Sequence, residues 1–372
     1  MAVHGSQFAA GQFRVKVQIW KLIGVGVVAL VAAACSSAAS APPPWEADNP
    51  IVAIPQAPLG AEIDLASLTE PPTPDRVRLG RWLFYDKRLS ADNSVACATC
   101  HRPEHAFSEP TAVSTGIGGQ KGRRKAPSLV NQADALLPHF FWDGRAGSLE
   151  DQALGPIGNP IEMGMTDMPH ALGDKISKIQ GYKPYFRTAF GSDEITGERI
   201  AKAIVAYEQT RMSGNSAWDR WRYDRDEKAV SEQVKQGHEL FFGKAKCRQC
   251  HAGNNFTDSK FHNLGIGWDP VAKQFSDEGR FVVTKNEADR GAFKTPTLRD
   301  LTKHPPYLHD GSQSSLREVV ELYNRGGNKN PYLDVKMEPL RLSPAEVDAI
   351  VAFLESLEGQ GYQDKAPAAF PQ

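Results

Sequence analysis

Cysteine is scarce in this sequence and already committed. Of the five in 372 residues, four form two Cys-x-x-Cys pairs, Cys97/Cys100 and Cys247/Cys250, and the fifth, Cys35, stands near the N-terminus. No pair is left over for a structural disulfide. Charge of one sign is missing too: 43 Lys and Arg against 44 Asp and Glu leave a net charge of -1, which gives no reason to expect nucleic-acid binding. Alternating apolar–polar runs are almost absent, so sheet is not expected to organise the fold. The uncharged apolar run from Leu22 to Ala34 is too short to span a bilayer comfortably. Between His251 and Lys336 there is no methionine, which removes thioether sulfur from that stretch.

What is present begins with an export signal. Arg14, Lys16 and Lys21 flank the apolar run, so residues 1–35 read as a signal segment. Ala32-Ala33-Ala34-Cys35-Ser36-Ser37 resembles a bacterial lipoprotein signal, in which cleavage falls before the cysteine and lipid is attached to it. Ala32 stands where leucine is usual, and ordinary cleavage after Ala33 or Ala34 is the alternative. Residues 36–60, rich in Pro and Ala, read as a tether. The expected location is the periplasm, with Cys35 as the candidate membrane attachment.

Each cysteine pair is followed directly by histidine, giving Cys97-x-x-Cys100-His101 and Cys247-x-x-Cys250-His251. This is the attachment motif of c-type haem: the thiols add to the haem vinyl groups and the histidine ligates the iron. Redox thiols or a zinc site are the competing readings. A redox Cys-x-x-Cys needs no following histidine, however, and zinc would draw ligands from both pairs. An echo precedes the two motifs, Gly80-Arg81-Trp82-Leu83-Phe84-Tyr85 and Gly237-His238-Glu239-Leu240-Phe241-Phe242. Two copies of one unit predict a mainly α protein of two cytochrome c-like domains, each with one covalent haem and long irregular loops. The length suits two such domains. A helix is predicted over Gly197–Met212, with Ile200, Ile204 and Tyr207 on one face; Ser213-Gly214-Asn215 ends it and marks the domain junction. Another starts at Ser343, with Pro344 at its first position, Glu346 closing a capping box, and Val347, Ile350, Val351, Leu354 and Leu357 as its stripe. The expected boundaries are 61–213 and 214–360 for the domains and 361–372 for a tail.

Further motifs carry a resemblance. They are Ala126-Pro127-Ser128-Leu129-Val130-Asn131, Phe141-Trp142-Asp143-Gly144-Arg145, Asn159-Pro160-Ile161-Glu162-Met163-Gly164, Phe293-Lys294-Thr295-Pro296-Thr297-Leu298-Arg299 and Pro306-Tyr307-Leu308-His309-Asp310-Gly311. From about Arg76 to Leu357 the chain resembles the bacterial di-haem cytochrome c peroxidase and MauG family. The resemblance implies that His101 and His251 are iron ligands and that Glu162 is the acid–base group on the open face of the first haem. It also implies that Gln152 and Pro156 line that pocket, and that Trp142 stands between the haems as an electron relay. Arg145 pairs with a haem propionate or simply with a surface acid.

Three departures from the commoner pattern matter. Where many members place a capping histidine, in the loop Ser114 to Gln120, this chain has Ile117, which cannot ligate iron; a first haem open without prior reduction is expected. Tyr323 falls where the peroxidases place the methionine ligand of the second haem, as in MauG; Met337, His304, His309 and His262 are the alternatives. The family's calcium site uses an asparagine where Lys125 stands, and the expectation is that the ammonium replaces the metal's charge. Three functions follow from the resemblance. One is reduction of hydrogen peroxide with electrons from a small periplasmic cytochrome c or copper protein. Another is MauG-like oxidation of residues in a partner protein. The third is electron carriage without catalysis, which would not need an open iron site.

Overall fold

Each cysteine pair follows a helix that crosses a later helix at a glycine. The computed structural model describes residues 42–133 and 138–372, together with Lys16; the apolar run of the signal segment and Cys35 lie outside the described residues. Its principal helices are α1 (Pro74–Tyr85), α2 (Leu149–Gly158) and α3 (Gly197–Gln209) in the first half. The second half has α4 (Glu232–Phe242), α5 (Leu316–Asn324) and α6 (Pro344–Glu355). A Cβ added to Gly80 would lie 1.8 Å from the Ala203 carbonyl oxygen of α3, and one added to Gly237 would lie 1.9 Å from the Ala349 carbonyl oxygen of α6. Only glycine lets the two backbones approach this closely.

The echo therefore marks one packing unit used twice. One turn beyond each glycine a phenylalanine enters the core: Phe84 meets Tyr207 of α3 at 5.1 Å, and Phe241 meets Phe353 of α6 at 4.9 Å between ring centres. Phe107 and Phe256 complete the two clusters. All six rings are buried, and burying each phenylalanine contributes roughly 1.5–3 kcal/mol. The two hydrophobic cores divide accordingly, one built mainly from residues 77–207 and the other from 218–357. Among the described residues, sheet is limited to two antiparallel pairs of two-residue strands, Phe261–His262 with Phe293–Lys294 and Trp268–Asp269 with Gln274–Phe275. The protein is mainly helical, with two cytochrome c-like halves and long irregular connections.

Local rules account for the helix ends. α6 has the capping box read from the sequence, Ser343 accepting from the Glu346 N–H and Glu346 returning to the Ser343 N–H at 2.8 Å. The helix expected to reach Met212 stops at Gln209. The Thr210 hydroxyl takes the Tyr207 carbonyl at 2.7 Å and turns the chain out of the helix. The Ser213-Gly214-Asn215 turn is a buried node rather than a loose joint. Asn131 Oδ1 accepts from the Ser213 N–H at 2.7 Å, and Gly214 pairs with Gln360 through both backbone groups. Beside it the Arg299 guanidinium holds Asp219 through two bonds, with both side chains fully buried.

Residues 42–60 of the expected tether and the 361–372 tail both contact the first half. Within the 36–60 tether, Trp45 donates its ring N–H to the Tyr185 hydroxyl at 2.7 Å, and Arg78 donates to the Asn49 carbonyl at 2.8 Å. Composition pointed to a tether, but Trp45 and Ile54 supply apolar surface that is worth burying. The 361–372 tail straps back over the first half. Asp364 pairs with Arg81 at 2.8 Å, Arg88 donates to the Pro371 carbonyl at 2.8 Å, and Gly181 donates to the Gln372 carbonyl at 2.6 Å.

Candidate active site

The two motifs build the same local geometry. Each histidine N–H closes a turn onto the first cysteine, His101 to Cys97 and His251 to Cys247, both at 2.9 Å. Each ring then donates Nδ1–H to a backbone carbonyl, His101 to Phe107 and His251 to Phe256, again at 2.9 Å. That bond fixes the ring and leaves Nε2 as the lone-pair nitrogen, the arrangement a metal-ligating histidine needs. Burial keeps both rings neutral, lowering His101 and taking His251 down to about 4.

The competing readings of the cysteines do not fit. Burial pushes the Cys97 thiol up, Cys100 to about 11 and Cys247 to about 12, whereas redox dithiols depend on lowered values. Cys250, Asp258 and His262 bring one ligand atom each within 4.8 Å of one another. However, His262 has both ring nitrogens on carboxylates, Asp334 at 2.6 Å and Asp258 at 3.0 Å. Burial opposes its charge, but the bonds to Cys250, Asp334 and Asp258 raise it to about 9. A protonated imidazole is not a metal ligand.

Tyr323, on α5, lines the cavity that Cys247, Cys250 and His251 line, with Phe241, Leu316 and Leu342 among its apolar walls. Its hydroxyl has no hydrogen-bond partner among the described residues, and burial, then Cys250 and Cys247, raise its pKa. The four alternatives line the same cavity and differ in their partners. His262 is occupied by its two carboxylates, and His309 stacks on Phe293 at 3.5 Å between ring centres. His304 and Met337 also line the cavity, and His304 Nε2 is buried without a partner. An apolar cavity edged by two thiols, a histidine Nε2 and an unpartnered phenol fits a c-type haem.

The repeat extends beyond the glycine helices. Phe140 bridges to Ala146 around Gly144, and Tyr307 bridges to Gln313 around Gly311; the glycines have φ of 68° and 66°. Ser148 then caps α2 and Ser315 caps α5, each accepting from the N–H three residues on. Counted from these caps, Pro156 occupies in the first half the position that Tyr323 occupies in the second, and Trp142 the position of His309. Sequence reading saw Pro156 only as a pocket residue. The signal was the shared Asp-Gly followed by serine, at Asp143-Gly144 and Asp310-Gly311. Proline offers no ligating atom where the second half offers a phenol.

Around that position stand the other expected residues. Glu162 is half-buried; burial raises its carboxyl above the usual range and Arg145 draws it partly back. Its carbonyl accepts from the Ile117 N–H at 2.9 Å, so the loop that lacks a histidine is pinned to the glutamate turn. The Ile117 side chain lies over Gly164 and packs on the first core. Gln152 is buried and its Oε1 has no partner. Arg145 binds Asp143 at 3.0 Å and lies over the Phe141 ring at 3.6 Å. Of the nearby histidines, His105 donates to the Lys303 carbonyl at 2.7 Å and His139 stands beside Phe261.

Trp142 joins the halves. Its ring N–H donates to the Lys125 carbonyl at 2.9 Å, its own carbonyl accepts from the Lys294 N–H at 2.8 Å, and it lines the Tyr323 cavity. Lys125 donates its backbone N–H to the His309 carbonyl at 2.7 Å. Its ammonium is buried among carbonyl oxygens, bonded to those of Glu109 and Thr111. Burial lowers it to about 8 against the pull of Glu109.

Two histidine-bearing cysteine turns, one in each half of an internally repeated helical fold, define a two-haem c-type cytochrome. Residues 74–228 match the family model described as di-haem cytochrome c peroxidase, and residues 234–358 match that of cytochrome c. The chain is 41% identical over 291 residues to the methylamine utilization protein MauG of Methylorubrum extorquens, covering 78% of this chain and 80% of that protein. It is 36% identical over 302 residues to the cytochrome c551 peroxidase of Nitrosomonas europaea, covering 81% and 85%. Among solved structures, a MauG-like protein associated with microbial copper homeostasis aligns with a TM-score of 0.72 at 28% identity, covering 85% of this chain and 95% of that one. The chain belongs to the di-haem cytochrome c peroxidase and MauG family: it is an oxidoreductase with two covalently bound c-type haems.

Proposed function

We propose that the protein is an exported peroxidase that reduces hydrogen peroxide at its first haem, with electrons entering through its second. The observation that carries this reading is the contrast between Pro156 and Tyr323 at one position of the repeat. One site has no side-chain ligand from its helix, and the other has a phenol. The haems, attached through Cys97, Cys100, Cys247 and Cys250 and ligated by His101 and His251, supply the iron and the redox equivalents. Glu162 takes the proton from one peroxide oxygen and returns it to the other, which leaves as water. The unpartnered Gln152 Oε1 accepts a hydrogen bond from the bound peroxide. Trp142, fixed at both its ring N–H and its carbonyl, carries electrons between the halves. Tyr323 favours the ferric over the ferrous state of the second site.

Residues 1–35 direct export to the periplasm, and Cys35 carries the lipid that tethers the protein there. A small periplasmic cytochrome c or copper protein is the electron donor. Lys125 supplies between the halves the positive charge that calcium supplies elsewhere. A second reading, oxidation of residues in a partner protein as in MauG, is favoured by Tyr323 and by Ile117. Against it, Trp142 is the only tryptophan lining that cavity among the described residues.

The test is to titrate the as-isolated diferric protein with hydrogen peroxide and follow optical and electron paramagnetic resonance spectra. Rapid loss of both ferric signals without prior reduction is expected. A protein inert until one haem is reduced would mean that a ligand caps the first iron, and the open-site reading would fall.

A further inference from the structure

The two halves differ in a way that packing does not require. The second half crosses its helices on Phe242 and Phe353; the first places Tyr85 and Tyr207 at the matching positions. The rings do the same work in both. Tyr85 and Tyr207 lie 6.2 Å apart and Phe242 and Phe353 6.4 Å apart, while Phe107 and Phe256 stand 6.2 and 6.1 Å from the α3 and α6 rings. The hydroxyls are the addition, and they are placed with care. Tyr85 and Tyr207 bring their oxygens within 3.3 Å, and Tyr207 donates to Asp364 Oδ2 at 2.6 Å. Phe107, whose carbonyl holds the His101 ring, packs against Tyr207. Through Phe107 the pair is therefore one ring removed from the residue that fixes the His101 ring.

We propose that Tyr207 and Tyr85 are a redox-active pair that returns electrons to the peroxide-oxidised first haem when no protein donor is bound, with Asp364 as the proton acceptor. This rests on the peroxidase reading above. One electron leaves Tyr207 for the haem, which is reduced by that electron. The Tyr207 O–H bond breaks, its proton forms a new O–H bond on the Asp364 carboxylate, and a neutral phenoxyl radical remains. Tyr85 then gives its hydroxyl hydrogen atom to the Tyr207 oxygen, moving the radical to a ring that is 8% exposed. A one-electron reductant from solution restores Tyr85, and the protons step back along the same line from Asp364.

The surroundings bear on both directions of this step. Burial holds Tyr85 up at about 12 and Tyr207 well above its ordinary value, so both start as neutral phenols. Oxidation must therefore release a proton, and Tyr207 has a carboxylate in line to take it. Arg211 over the Tyr207 ring at 4.6 Å opposes loss of the electron, and Arg81 holds Asp364 ionised. An oxidised phenol is a far stronger acid than any carboxylic acid, so Asp364 still accepts. A purely structural role is the alternative, since the same bonds hold the C-terminal strap.

The experiment is freeze-quench electron paramagnetic resonance of the two-haem protein after an equimolar amount of hydrogen peroxide, without donor. A radical signal that narrows when the protein is grown on ring-deuterated tyrosine is expected. The signal should be lost in Tyr207→Phe, and its yield should fall in Asp364→Asn with both haems retained. The wild-type labelling result stands whether or not a variant folds. Loss of the ferric signals with no tyrosine-derived radical, or a radical unchanged in Tyr207→Phe, would overturn the relay and leave the peroxidase reading standing. Ferric signals untouched by peroxide would overturn both.

Discussion

Replacing Glu162 by glutamine keeps the shape of the side chain and removes its base. General acid–base groups contribute about 10²–10⁴-fold, so Glu162→Gln should slow the bimolecular reaction with peroxide by that factor, about 2.7–5.4 kcal/mol of barrier. The structure also fixes a pH signature. Burial raises the carboxyl above its ordinary 4.5 and Arg145 pulls it down. The reaction needs the carboxylate, so the rate falls as pH drops through the raised pKa, giving an acid limb above the ordinary glutamate range. Arg145→Ala removes the lowering influence and should move that limb to higher pH, while Glu162→Gln should abolish it. Stopped-flow bleaching of the ferric Soret band across about pH 4–8 reads all three. A Glu162→Gln variant reacting at the wild-type rate, or an acid limb unmoved in both variants, would refute the acid–base role.

Other consequences are as direct. Tyr323→Phe removes the phenol from the second site, so the fully reduced variant should bind two carbon monoxide molecules where the wild type binds one; unchanged stoichiometry would transfer the ligand role to another residue, with His304 the first to examine. Gly237→Ala drives a methyl into the Ala349 carbonyl, and overpacking of this kind costs about 1–3 kcal/mol. Calorimetry should show its Tm falling, whereas Gly147→Ala, where the added Cβ meets nothing within 4 Å, should leave Tm in place. On the proposed role of Lys125, chelation by EDTA should change neither Tm nor peroxide turnover. Lys125→Met should lower Tm by leaving the carbonyls of Glu109 and Thr111 unpaired, at about 1–3 kcal/mol each, and stoichiometric calcium in the purified wild type would contradict the substitution.

Much of this was legible because it is local. The cysteine–histidine spacing, the Ser343 cap and the glycine-led echo are each contained within a few residues. The equivalence of Pro156 and Tyr323 was not, because the loops between matching elements differ in length, so no single offset aligns the two halves. Tyr207 read only as one member of an apolar stripe, since its partners Tyr85 and Asp364 come from α1 and from the end of the chain. Lys125 suggested a charge replacing a metal, but the carbonyls of Glu109 and Thr111 that receive it are backbone groups, which no side-chain pattern reveals. The contacts of Trp45 and Asn49 were hidden by the proline and alanine content around them.

The strap formed by the last residues reverses the order of synthesis. Asp364, Pro371 and Gln372 complete contacts with Arg81, Arg88 and Gly181 in the half that is made first. That half completes these contacts only once residues 364–372 are available, so the two halves are not successive, independent folding units. Both cysteine turns have been synthesised before either half is sealed, which leaves them open together to the machinery that attaches haem. A gene truncated just after α6 would lose stability in the first half, far from the cut in sequence.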